Sequence, residues 1–170
     1  MRGVVWFRTD LRIDDNPALH NALDNCEEVI GIYIFSQLQW KAHNESNVKL
    51  EFLLENLTLL EKSLSKLNIP LITINTDSFD SLPKDLCSFV VSNKVGQIFW
   101  NNEFGVNESK RDLLSSAILE KENVKTSRFD DQVIYQPGYL KTGQGKPFSV
   151  FTPFKRRWID NFNLDLLDIE

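Results

Sequence analysis

The chain has 170 residues, of which 42% are hydrophobic, and its formal net charge at pH 7 is −5. This length and apolar content favour one compact globular domain, and no apolar stretch approaches the roughly 20 residues that span a bilayer. We therefore expect a cytoplasmic protein without a membrane partner. The negative charge disfavours binding of nucleic acid by this domain alone.

Five apolar segments rich in β-branched and aromatic residues follow one another along the chain. In order, the predicted strands are GVVWF at 3–7, EVIGIYIF at 28–35, PLITINT at 70–76, QIFWNN at 97–102 and, more weakly, VKTSRF at 124–129. Strands with almost continuous apolar character are typical of a parallel sheet that is covered on both faces. Helical patterns lie between them, so the order of elements predicts a doubly wound α/β fold with right-handed crossovers.

The first turn, between the strand at 3–7 and a helix predicted at Pro17–Asn25, is dense in charge. It contains Arg8, Asp10, Arg12, Asp14 and Asp15. We expect most of these side chains to pair with one another and to hold a tight connection that has no glycine. Asp15 or Asn16 is expected to cap the helix, with Pro17 at its first position.

The longest helical pattern covers residues 45–67. Its apolar stripe follows the i, i+3, i+4, i+7 spacing of one helix face and consists of Leu50, Leu53, Leu54, Leu57, Leu60, Leu64 and Leu67. A shorter helix is predicted at Pro83–Ser92 and another at about Asn107–Glu122. The helix at about Asn107–Glu122 is expected to bury Leu113, Leu114, Ala117 and Ile118.

Beyond Asp131 the alternating pattern stops. Residues 132–148, QVIYQPGYLKTGQGKPF, hold two prolines and three glycines and predict an extended segment. A helical stripe follows, formed by Phe154, Trp158 and Phe162. The basic run 155–157 beside Trp158 is interpreted first as a solvated helix face, and nucleic-acid binding is the alternative.

Common catalytic and metal-binding signatures are missing from the sequence. The first turn has no glycine, which excludes the dinucleotide fingerprint and a phosphate-binding loop there, and His20 and His43 are 23 residues apart. Cys26 and Cys87 are interpreted as reduced, buried residues rather than as a disulfide or metal ligands. We predict no metal site and no catalytic residue in this chain.

Three longer stretches are more specific, namely WFRTDLRIDDNPAL at 6–19, FDDQVIYQPG at 129–138 and VFTPFKRRW at 150–158. Together they resemble the N-terminal α/β domain of the DNA photolyase and cryptochrome family, nearest to microbial class I, folate-type photolyases of cyclobutane pyrimidine dimers. The resemblance implies a Rossmann-like, five-stranded parallel sheet of order 3-2-1-4-5. It also implies an antenna-pigment domain at 1–131, with 132–170 as the start of a linker toward a C-terminal helical domain that this chain lacks.

The resemblance implies cofactors and partners as well. In such proteins the C-terminal helical domain binds FAD, which under light passes an electron to a cyclobutane pyrimidine dimer in damaged DNA. The N-terminal domain holds an antenna pigment, and QWKAHN at 39–44 and EFGVNESKRD at 103–112 resemble the branch that uses 5,10-methenyltetrahydrofolate. We expect this pigment to bind weakly or not at all to the chain alone, because its cleft is completed by the flavin domain.

By the same resemblance, Asn107 and Glu108 would hydrogen-bond the pterin ring of the folate, and His43 would line its cleft. An amide beside a carboxylate matches the donors and acceptors on a pterin edge. The pair also suits a helix start, as N-cap and first-turn acid, and a lone histidine is often structural. Arg8 and Asp10 are secondary candidates, because in relatives with a deazaflavin or flavin antenna the first turn lies near the pigment.

The resemblance implies the light-harvesting domain of a deoxyribodipyrimidine photo-lyase, an enzyme that repairs DNA as a full-length protein, whereas this chain alone is expected to be inactive. A cryptochrome-type photoreceptor shares this domain and is an alternative. The rival from another class is a stand-alone nucleotide-binding regulatory module of the same topology. The reading frame beyond Glu170 distinguishes these possibilities.

Overall fold

In the computed structural model, which describes residues 1–163, strands and helices alternate along the chain. The strands are β1 (Arg2–Phe7), β2 (Glu28–Phe35), β3 (Leu71–Asn75), β4 (Gln97–Asn101) and β5 (Lys125–Phe129). The helices are α1 (Pro17–Asn25), α2 (Gln37–Ala42), α3 (Asn47–Lys66), α4 (Leu82–Ser92), α5 (Val106–Lys121) and α6 (Phe151–Asn161). All five predicted strands are confirmed, and α2 is a helix that the sequence analysis missed.

The five strands form one parallel sheet in the order β3-β2-β1-β4-β5. The doubly wound α/β prediction and its strand order are therefore confirmed. Because all strands run in one direction, their carboxyl ends lie along one edge of the sheet, which is where parallel α/β proteins form their binding crevices. The first turn follows β1, the central strand of that edge.

Alternate residues of β1 face opposite sides of the sheet. Val4 and Trp6 pack in the layer that contains α4 and α5, and Val5 and Phe7 pack in the layer that contains α1 and the second half of α3. Burial on both faces explains the continuous apolar character of the central strands. Strand β5 lies at the edge of the sheet and is only partly buried, which accounts for its more polar sequence.

Helix α3 confirms the longest predicted helix, but only its second half packs as expected. Leu57, Leu60 and Leu64 are buried, whereas Leu54 and Leu67 are 52% and 45% exposed. The predicted seven-leucine core stripe is thus wrong for the first half of the helix and for Leu67, the C-cap residue at its end. That half borders an open cleft instead of the sheet.

Helix α5 turns a different face to the core from the one predicted. Leu113 and Leu114 are 60% and 50% exposed, Ala117 is also exposed, and Ile118 is half-buried against the core. The buried face consists of Arg111, Asp112, Ser115 and Leu119. The predicted apolar stripe was therefore the wrong face. The buried charges are satisfied because Asp112 pairs with Arg8, 104 positions away, and Arg111 bonds to Asp112 and Glu103.

This orientation of α5 has a measurable consequence for stability. Leu119→Ala is expected to lower the free energy of unfolding by about 2–5 kcal/mol, since Leu119 is fully buried. Leu114→Ala, on the exposed face of the same helix, is expected to change it by no more than about 0.5 kcal/mol. Urea denaturation followed by circular dichroism measures both. Equal losses would show that the leucine stripe faces the core after all.

Residues 132–150 contain no strand or helix, as the extended segment predicted, and α6 follows them. Cys87 is buried and Cys26 only half-buried, and burial raises the pKa of both free thiols, so full burial is confirmed for Cys87 alone. Among the described helices, none combines the length and the apolar character needed to cross a bilayer.

Candidate functional site

A buried cluster of polar side chains lies at the carboxyl ends of β1 and β4. Arg8 is 7% exposed, and its Nη1 donates to both carboxylate oxygens of Asp112 at 2.8 Å. Its Nη2 donates to the backbone carbonyl of Asn101, and its backbone N–H donates to Asp10 Oδ1 at 2.8 Å. The Arg8 guanidinium therefore connects the end of β1 with the end of β4 and with α5.

A second arginine shares the same carboxylate. Arg111 donates to Asp112 Oδ1 from Nε at 2.9 Å and from Nη2 at 2.8 Å, and its Nη2 also donates to Glu103 Oε2 at 2.9 Å. The Cζ atoms of Arg8 and Arg111 lie 5.0 and 4.8 Å from the ring centroid of Trp6. Carboxylates and the indole face together compensate the burial of two cations.

The rest of the first turn holds the start of α1. Asn16 is its N-cap, accepting a hydrogen bond from the Leu19 N–H, and a proline occupies the first position as predicted. Asn101 Nδ2 joins this cap to the cluster by donating to Asn16 Oδ1 at 2.9 Å and to Asp10 Oδ2 at 2.6 Å. Arg12 pairs with Asp131 at 2.5 Å. The charge of this turn is therefore largely structural, but Arg8 and Arg12 pair with Asp112 and Asp131, which lie outside the turn. The expected pairing of these side chains with one another is wrong.

A cleft of about 490 Å³, which we call the helix cleft, is lined by the first turn and the N-terminal half of α3. Arg8 and Asp10 line it from the turn, and Leu50 and Leu53 line it from the helix. Trp40, from α2, also contributes its side chain. The helix cleft is thus mainly polar on the side of the first turn, and on the side of α3 its lining mixes apolar residues with Lys49 and Asn56.

A smaller cleft of about 160 Å³, the sheet cleft, is lined by residues at the ends of β1 and β2. It shares Tyr33 and Trp40 with the helix cleft and is also lined by Ser36 and Glu108. Ser36 is 4% exposed, and its Oγ has no hydrogen-bond partner among the described residues. Burial, with a smaller effect of the Glu103 charge, raises the pKa of Tyr33 to about 12, which keeps its hydroxyl protonated.

The structure brings three of the five predicted site residues to these clefts. Arg8 lines both, Asp10 lines the helix cleft and Glu108 lines the sheet cleft. A Cβ on Gly105 would lie 2.0 Å from Glu108 Oε2, so the glycine leaves room for the carboxylate where it lies. Glu108 is also the first-turn acid that the sequence predicted.

The other two predicted site residues lie outside the clefts. Asn107 is exposed in the first turn of α5, and the N-cap is Gly105, so the expected capping role of Asn107 is wrong. His43 is the exposed C-cap residue of α2 and lines neither cleft.

Several residues of the site were not found from the sequence. Asp112 and Glu103 are more than ninety positions from Arg8, and only the fold makes them neighbours. Tyr33 was part of an apolar strand, and Trp40 belongs to the helix that was not predicted. The sequence offered one indication that Arg111 and Asp112 are buried, which is that they share a helix face with the apolar Leu119.

Residues 3–168 match the sequence profile of the family described as DNA photolyase. The chain belongs to the DNA photolyase family. The deoxyribodipyrimidine photo-lyase of Escherichia coli K12 is 37% identical over 157 residues, which cover 92% of this chain and 33% of that relative. The chain spans about a third of the length of the curated relatives it matches.

Solved structures of photolyases and cryptochromes share the fold of this chain. The cryptochrome of Synechocystis sp. PCC6803 superposes with a TM-score of 0.80 at 19% identity, over 93% of this chain and 33% of the cryptochrome. An archaeal photolyase from Sulfolobus tokodaii, whose structure holds two FAD molecules with the implication of a novel light-harvesting cofactor, gives a TM-score of 0.74 at 24% identity, over 84% and 32% of the two chains.

Proposed function

We propose that this chain is the light-harvesting part of a deoxyribodipyrimidine photo-lyase and that it holds 5,10-methenyltetrahydrofolate at the sheet cleft. The observation that carries the proposal is the meeting, in one cleft, of the Glu108 carboxylate, the Ser36 hydroxyl and the side chains of Tyr33 and Trp40. Membership of the DNA photolyase family supports it.

The residues of the sheet cleft fit a pterin ring. Tyr33 and Trp40 offer aromatic surface to a flat ligand, and Glu108 can accept hydrogen bonds from the N–H groups of the ring edge. The buried Ser36 Oγ gains a partner when a polar ring edge enters the cleft. The adjoining helix cleft offers room for the rest of a folate. When bound, the pigment supplies absorption of near-ultraviolet light and transfer of that excitation to a flavin.

We assign the pigment to residues 1–131 and propose that residues 132–170 begin the connection to a C-terminal helical domain. That domain would bind FAD and, with it, a pyrimidine dimer in damaged DNA. The share of the curated relatives that the chain spans, about a third, supports this division of labour. Asn107 and His43 would then contact the pigment only from the rim of the cleft.

The role of Glu108 is tested in the full-length protein. Glu108→Ala is expected to weaken pigment binding roughly ten- to hundredfold, because a hydrogen bond to a charged group contributes about 1.5–3 kcal/mol. Near-ultraviolet pigment absorption should fall relative to flavin absorption in the purified protein. Titration with methenyltetrahydrofolate gives the change in affinity.

Glu120→Ala is the matched control, since it removes the same charge from an exposed position of the same helix. This variant should retain its pigment. If Glu108→Ala bound the pigment as tightly as the control, Glu108 would be only the first-turn acid of α5.

A cryptochrome-type photoreceptor is the second candidate function, since the Synechocystis cryptochrome shares the fold of this chain. Both functions use the same light-harvesting part. Repair of thymine dimers by the full-length protein under blue light separates them, because the photoreceptor would leave the dimers unrepaired.

A further inference from the structure

Two tryptophans lie side by side in the buried core. Trp6 belongs to β1 and Trp100 to β4, and these two strands are neighbours in the sheet. The ring centroids are 5.6 Å apart, and the rings meet edge to face at an interplanar angle of 70°. Trp6 is 2% exposed and Trp100 is fully buried. We call these two residues the tryptophan pair (Trp6 and Trp100).

The tryptophan pair reaches the sheet cleft through Trp6, whose side chain is part of the lining. The cleft measures about 160 Å³, so a flat ring that fills it lies next to the side chains around it. Trp100 is in edge contact with Trp6 from within the core. A ring bound in the sheet cleft is therefore close to both indoles.

The ring of Trp6 is held in one orientation. The Cζ atoms of Arg8 and Arg111 lie 5.0 and 4.8 Å from its centroid, and both guanidinium groups donate hydrogen bonds to Asp112. These cation–π contacts and the edge contact with Trp100 restrict rotation of the indole. Burial also keeps water away from both rings. The transition dipoles of the pair thus keep a constant direction relative to the sheet cleft.

We propose that the tryptophan pair is a second antenna, built from the protein itself, which absorbs ultraviolet light of shorter wavelength than the pigment and passes the excitation to a pterin in the sheet cleft. Indole emits in the near ultraviolet, where this pigment absorbs, and dipole–dipole transfer becomes steeply faster as donor and acceptor approach. The step moves energy and no electron, because the indole returns to its ground state as the pigment is excited. The inference rests on the proposed function, since it requires a pigment in the sheet cleft.

The other two tryptophans of the chain are placed differently. Trp40 lines both clefts, so a substitution there would change pigment binding together with light absorption. Trp158 lies on α6 with its ring centroid 5.7 Å from that of Tyr135, and it lines neither cleft. Because transfer weakens steeply with distance, Trp158 is expected to contribute less than the tryptophan pair. Trp158→Phe is therefore the matched control.

The test uses the full-length protein with its flavin and with methenyltetrahydrofolate bound. Pigment fluorescence is excited at the red edge of indole absorption and, separately, by direct near-ultraviolet excitation of the pigment, and the ratio of the two signals is measured. Onward transfer to the flavin drains both signals equally, so it cancels in the ratio. The double variant Trp6→Phe and Trp100→Phe keeps an aromatic ring at each position and removes both indoles.

The ratio is expected to fall in the double variant, and the missing signal should have the excitation spectrum of indole. The loss should be at least about threefold the loss in Trp158→Phe, because two indoles beside the cleft are removed instead of one outside it. Pigment content, measured by near-ultraviolet absorption, should be the same in both variants. If the double variant loses its pigment, Trp100→Phe alone provides the measurement, since Trp100 is not part of the cleft lining.

Equal losses in the double variant and the control would overturn the proposal. Indole fluorescence that the pigment quenches without any gain in pigment emission would overturn it as well, because that result indicates electron transfer instead of energy transfer. In either case the pigment is bound, and the proposed function stands. A full-length protein that binds no pigment would refute both. Glu108→Ala should lower both signals together and leave their ratio unchanged.

Discussion

Asp112→Ala is expected to lower the free energy of unfolding by about 3–5 kcal/mol, the cost of removing one partner from a buried ion pair. The Asp112 side chain is 3% exposed and accepts hydrogen bonds from both Arg8 and Arg111. Its removal leaves two buried guanidinium groups with one nearby carboxylate, that of Glu103. Urea denaturation at pH 7 measures the loss.

Asp24→Ala is the control for this prediction. Asp24 also faces a basic side chain, His20, at 3.4 Å, but the two side chains are 67% and 49% exposed, and an exposed pair contributes little. The control should shift the free energy of unfolding by less than about 1 kcal/mol. A comparably small loss for Asp112→Ala would mean that the buried cluster does not stabilise the fold.

The chain alone, supplied with FAD and blue light, is expected to repair no thymine dimers. The two clefts at the carboxyl edge of the sheet measure about 490 and 160 Å³. Only the larger reaches the roughly 300–1,000 Å³ that is typical of a pocket for one ligand, so we expect no room for a flavin and a dinucleotide together. A drop in dimer content is measured by chromatography of the digested DNA after illumination.

The repair assay needs two controls. A protein-free sample sets the background, and the E. coli photo-lyase under the same lamp shows that the light and the flavin suffice. Dimer loss above the background with this chain would refute the assignment of repair to a part of the protein beyond it.

The sequence predicted the sheet because each strand carries its own apolar signal. The buried face of a helix was harder to predict. Helix α5 has two candidate faces, and only contacts with other parts of the chain decide which of them packs against the core. The stripe with Leu113 and Leu114 is more apolar, but Asp112 on the other face bonds to Arg8 at the end of β1. A prediction based on the number of apolar residues therefore selected the wrong face of α5 as the buried one.

The site was predicted only in part, and for a related reason. Glu108 and Arg8 belong to stretches that resemble a family, so their positions were found from the residues themselves. Ser36, Tyr33 and Trp40 lie next to them only because parallel strands end at one edge and α2 follows β2. His43 and Asn107 were also chosen from the resemblance, and the structure places them exposed and outside the lining of the cleft, so their contact with a pigment stays a prediction.

Charge is distributed unevenly along the chain, with a net charge of −6 over residues 1–131, +5 over residues 132–159 and −4 over residues 160–170. Because the Debye length is about 8 Å at physiological ionic strength, a small anion near an exposed side chain of residues 132–159 responds mainly to the charges close to it and less to the net charge of −5. Added salt shortens this length, so any attraction of small anions to this segment should weaken as the ionic strength rises.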